Sequence, residues 1–68
     1  MDNKNSLEIA YQNARDLIHK KEYLQAISQL NEILKIFPNE LNSIYLLIDC
    51  FIRINKPLEA LEYIQKAL

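Results

Sequence analysis

Sixty-eight residues, half of them hydrophobic, amount to one small domain, and a chain of this length buries only about 60% of the surface its unfolded form exposes. Eight basic residues against nine acidic leave no basic excess of the kind phosphate contacts demand, which sets nucleic acid aside as a partner. The absence of glycine, with only two prolines, rules out tight β-turns and Gly-rich phosphate loops.

The opening residues 1–6 are polar and read as a short flexible leader, with Asn5 or Ser6 placed to cap a first helix. Leu7, Ala10, Ala14, Leu17 and Ile18 then recur at three- and four-residue steps, the spacing of one helical face, to about Lys20. Lys20-Lys21-Glu22 is a polar break long enough only for a tight helix–helix turn. A second helix follows from about Glu22 to Ile36, apolar at Tyr23, Ala26, Ile27, Leu30, Ile33, Leu34 and Phe37, and Pro38 ends it.

A third helix is expected from Leu41 to Ile54, apolar on nearly every side, as befits an element packed between neighbours. Asn55 tolerates the left-handed conformation common just past a helix end, and Pro57 suits the first turn of a fourth helix that runs to Leu68. No segment alternates with period two, so no strand is expected. No apolar run approaches the roughly 18 residues of a membrane span. The longest stretch, Ile44 to Ile54, is broken by Asp49 and Arg53. A lone cysteine, Cys50, forms no internal disulfide, and together with the polar start it points to a reducing, cytoplasmic setting.

Much of the second helix returns one period of 34 residues later: Leu24 as Leu58, Ala26 as Ala60, Ile27 as Leu61, Leu30 as Ile64 and Leu34 as Leu68. A fixed period of this size marks stacked supersecondary units. A 34-residue helix–turn–helix unit closed by proline resembles the tetratricopeptide repeat, and the residues agree in detail. Ala14, Leu17, Tyr23, Ala26, Leu30 and Pro38 match the family's signature positions in a first copy, residues 7–40, while Ile33 and Ile48 stand where the family has small residues. Phe51, Ala60, Ile64 and Ala67 stand at them in a second, shorter copy, residues 41–68. Ala26 and Ala60 fall where the two helices of a hairpin cross closely, which only a small side chain allows. The family's turn glycine is Lys21 in one copy and Asn55 in the other, and Asn13 sits where leucine is common. The fold implied is all-α, two antiparallel helical hairpins stacked as a short right-handed superhelix.

The resemblance implies a non-catalytic module for protein–protein contact, with a concave groove lined by the first helix of each hairpin. Glu8, Tyr11, Gln12, Arg15 and Ile18 would line it in the first copy, and Asn42, Tyr45, Leu46, Asp49 and Ile52 in the second. Tyr11 and Tyr45 either contact a peptide there or pack between adjacent helices. Arg15 and Asp49, also one period apart, are placed to pair with each other or with a ligand. The lysine and asparagine that grip a C-terminal carboxylate in some relatives of this type are not in place.

The fourth helix presents Leu58, Leu61, Ile64 and Leu68 with nothing after it to cover them all, and two repeats are fewer than a stable stack usually needs. Self-association by a two-fold contact or an exchange of hairpins is one solution. The alternative is a minimal or designed fragment of a longer solenoid with no ligand of its own. Enzymatic activity, metal and cofactor are not expected. His19 has only Asp16 within helical reach and reads as a surface cap, Cys50 reads as inert packing, and Glu62 and Lys66 have the spacing of a surface pair.

Overall fold

The computed structural model describes residues 3–67, which form four helices: α1 (Asn3–His19), α2 (Tyr23–Ile36), α3 (Leu41–Arg53) and α4 (Pro57–Ala67). Each packs on the next in order, α1 on α2, α2 on α3 and α3 on α4, so the molecule is two helical hairpins stacked side by side. The result is a flat slab of 37 × 28 × 13 Å. In so thin a body every helix keeps one side toward solvent, and the buried set is correspondingly lean.

Helix α1 begins at Asn3, ahead of the start expected at Leu7, so residues 3–6 continue the helix and neither Asn5 nor Ser6 stands at its cap. No proline or glycine interrupts this stretch, and helical continuation gives its backbone groups partners that a coil would leave to water. The other boundaries fall within a residue of expectation, apart from Leu68, which lies outside the described residues.

The two hairpin turns are built alike. Lys21 and Asn55, one period apart, both adopt the left-handed conformation, with φ of 62° and 64°. Behind each, the same pair of bonds closes the helix: Lys21 N donates to the Ile18 carbonyl and Glu22 N to that of Leu17, as Asn55 N does to Ile52 and Lys56 N to Phe51. This is the Schellman arrangement, which satisfies carbonyls that the helix end would otherwise orphan. Lysine gains nothing from glycine's freedom here and carries the Cβ penalty of that conformation.

Between the hairpins, α2 stops at Phe37, whose N–H donates to the Ile33 carbonyl before Pro38 breaks the ladder. Helix α3 then starts on Glu40. Its carboxylate accepts both the backbone N–H and the hydroxyl of Ser43, at 2.9 and 3.0 Å. Ser43 is fully buried, and that one carboxylate oxygen satisfies it.

Ala14, Ala26, Leu30, Ile33, Leu47 and Cys50 form one buried cluster drawn from α1, α2 and α3. Ala26 and Ala60 are both buried, in keeping with close helix crossings at small residues. In the second hairpin Phe51 stacks on Tyr63 with ring centres 5.6 Å apart, and the Tyr63 hydroxyl donates to Asn31 Oδ1 on α2. The breadth of α3's apolar surface is only partly used. Ile44, Leu47 and Cys50 are buried, whereas Leu41, Tyr45 and Ile52 are exposed.

Candidate functional site

The groove residues expected on α1 and α3 divide into two groups. Glu8, Arg15, Asn42 and Tyr45 are exposed, while Tyr11, Leu46 and Asp49 are half-buried, and Tyr11 and Leu46 pack against the core cluster. Asp49 does not meet Arg15. Its Oδ2 accepts from Arg53 Nε at 2.9 Å, one turn along the same helix, where the shorter reach wins. Arg53 in turn stands over the Tyr23 ring, 5.9 Å from its centre, and ties the end of α3 to the start of α2. Asn13 is exposed rather than packed, so its amide leaves no gap in the core.

On α4, Leu58, Leu61 and Ile64 are all exposed, and Leu68 lies outside the described residues. Lys66 sits over the Tyr63 ring at 5.5 Å, and Glu59 pairs with Lys56 at 3.8 Å, in place of the expected Glu62–Lys66 contact.

Setting each position beside its one-period equivalent shows a pattern that the sequence alone does not. Leu30 is 0% exposed and Ile27 half-buried, but their counterparts Ile64 and Leu61 are 39% and 47% exposed. Leu7, Tyr11 and Ile18 of α1 pack against the core, but their counterparts Leu41, Tyr45 and Ile52 of α3 are exposed. The residue types barely change, so the difference is one of cover. In the first hairpin α3 packs on α2 and supplies it there. The second hairpin has no equivalent among the described residues, and an apolar face of α3 and α4 side chains is left open.

Chemistry-bearing groups are scattered by comparison. His19 ends α1 at the surface. No group of three or more His, Cys, Asp or Glu among the described residues is close enough to hold a metal ion. A depression of about 470 Å³ between α2 and α4 is lined by Ser28, Asn31, Lys35 and Tyr63, with Lys66 at its rim. A smaller one of about 250 Å³ lies between the start of α1 and the end of α2, against Leu7, Ala10, Ile33 and Phe37. Neither gathers the nucleophile and base, or the facing carboxylates, that catalysis requires. Among the described residues no helix is long and apolar enough to cross a membrane.

Cys50 is fully buried, and its thiol is pushed up to about 11, by burial first and by the neighbouring Asp49 next, with Arg53 pulling the other way. The ordinary value is 9.0. A thiol raised on folding stabilises the folded state fully below pH 9, and that contribution is lost as pH climbs through about 11. Native protein at pH 8 is therefore expected to react with a thiol reagent only after urea unfolds it. The urea midpoint should fall between pH 9 and 11, and fall less in Cys50→Ala. Rapid labelling of the native chain would contradict the burial.

No curated protein and no solved structure gives a significant match to this chain. A model of the family described as anaphase-promoting complex, cyclosome, subunit 3 matches residues 1–67, almost the whole sequence. With its two stacked hairpins, the chain belongs to that family of tetratricopeptide-type repeats.

Proposed function

We propose that this chain is a non-catalytic protein–protein interaction module that pairs with a second copy through the open apolar face of α3 and α4. The observation that carries the reading is the loss of cover one period on, from Leu30 to Ile64 and from Tyr11 to Tyr45. Apolar side chains that are half-buried or buried in one hairpin and exposed at the same places in the next describe a surface shaped to be covered. A helix is what covers it in the first hairpin, so a helical occupant fits.

A second copy suits the face for an electrostatic reason as well. Leu58, Leu61, Ile64 and Gln65 share one side of α4 without a charge among them, so two such sides meet around a two-fold axis with no like charges opposed. The family description itself names a subunit of a complex, which accords with a role in assembly. Glu8, Arg15 and Asn42, exposed beside half-buried Tyr11, Leu46 and Asp49, offer the groove side to a peptide or partner helix as a second contact. Residues 7–40 and 41–68 serve in this reading as the two repeats.

Light scattering over a dilution series tests the pairing. The mass expected at high concentration is that of two chains, returning to one on dilution. Leu61→Glu with Ile64→Glu should hold the protein at one chain while helical circular dichroism is kept, since both side chains already reach solvent. A wild-type chain that stays single at every concentration sinks the pairing and leaves the unliganded-fragment alternative.

A further inference from the structure

We infer that the opposite face of the stack, on α1, is closed to this kind of contact, so that assembly through α3 and α4 cannot run head to tail. The inference concerns the assembly proposed above, but it rests on different residues. On α3, Ser43, Leu47 and Cys50 are each 0% exposed. Their one-period equivalents on α1 are Ile9, Asn13 and Asp16, and all three are exposed. Helix α3 packs on both α2 and α4, whereas α1 packs on α2 and has no α2-like helix on its other side among the described residues. Leu47 and Cys50 share a cluster with Leu30 of α2, so these are the α3 positions that receive the preceding hairpin.

Head-to-tail stacking would set α1 of one copy on α4 of another, in the relation α3 has to α2. Asn13 would then replace Leu47, and Asp16 would replace Cys50, against the apolar side chains of Leu61 and Ile64. An amide and a carboxylate would lose water there with a single amide, Gln65, on the facing stripe to pair with them both. Ile9 adds a steric obstacle, because it would fill the space of a serine in a layer that tolerates little extra volume. The three mismatches act together. They make α1 a closed face toward α4 of another copy.

The chain thus has one face that invites a helix and one that refuses it. Pairing is confined to the first with itself, which closes after two copies, whereas a heterologous contact would propagate into filaments.

The test converts the closed face into an open one. In Ile9→Ser/Asn13→Leu/Asp16→Ala, α1 carries side chains of the kind α3 uses against α2. Sedimentation velocity at rising concentration should show this variant growing to at least about twice the wild-type mass without a plateau, as open stacking requires. Adding Leu61→Glu should reverse the growth, which distinguishes stacking from indiscriminate aggregation. Wild-type protein that itself grows past two copies overturns the inference. So does a triple variant whose mass matches the wild type, or whose enlarged species survives Leu61→Glu. Wild-type protein found as single chains refutes the pairing alone, and the triple variant still decides whether α1 is closed.

Discussion

Leu30→Ala is expected to leave most of the chain unfolded at 25 °C, whereas Ile64→Ala, the same change one period later, is expected to leave it folded. Leu30 is fully enclosed in the cluster of Ala14, Ala26, Ile33, Leu47 and Cys50, where three helices meet. Truncating an enclosed leucine costs the lost transfer energy plus that of the cavity, about 3–5 kcal/mol. A single core in a chain below about 70–80 residues rarely supplies more than about 3–5 kcal/mol in all. The cost is therefore comparable to the whole stability. Ile64 is 39% exposed and open on one side, so its truncation leaves a dent that water fills, for about 1 kcal/mol. Urea titrations followed by circular dichroism give both numbers directly, and equal losses for the two variants would remove the argument for unequal cover. The comparison also reports on assembly. Where a second copy covers α4, the cost of Ile64→Ala rises with protein concentration, because binding stabilises only the folded form.

This pair of variants marks the line between what the sequence reveals and what it hides. The four helices, their order and the breaks at Pro38 and Pro57 follow from spacing and proline chemistry, and the structure places them within a few residues. The left-handed turns at Lys21 and Asn55 follow from the repeat's register. Periodicity treats equivalent positions as equal, however, and cover depends on neighbours. Tyr11 and Tyr45 are the same residue at the same register, yet one packs against the core and the other stands in solvent. Arg15 and Asp49 look like partners one period apart until Arg53, on the same helix as Asp49, proves nearer. The polar face of α1 was legible in principle, since setting Asn13 and Asp16 beside Leu47 and Cys50 needs only the period. What gives that comparison meaning is knowing which α3 positions are enclosed.

Glu40→Ala is the larger surprise for a residue at a connection, with an expected loss of about 2–4 kcal/mol from its two roles taken together. Glutamate is not among the favoured N-cap residues, so the sequence gives little warning. In the structure its backbone is extended, φ −73° and ψ 100°, and its carboxylate accepts from Ser43 N at 2.9 Å and from Ser43 Oγ at 3.0 Å. Loss of a helix cap costs about 1 kcal/mol. Stranding a buried hydroxyl adds about 1–3 kcal/mol, because Ser43 is fully enclosed and has no route to water. Glu40→Gln keeps an acceptor oxygen in reach and gives up only the charge at the start of α3, worth about 0.3–1 kcal/mol. Ser43→Ala in the Glu40→Ala background removes the stranded hydroxyl, so the double variant should recover about 1 kcal/mol or more relative to Glu40→Ala alone. Urea midpoints of the wild type, Glu40→Ala, Glu40→Gln and the double variant give each difference directly. If Glu40→Ala and Glu40→Gln lose the same stability, the carboxylate is not holding Ser43. If the double variant recovers nothing, the buried hydroxyl was never the cost. Should both hold as expected, the start of α3, where the second hairpin begins, depends on one acceptor oxygen outside the helix.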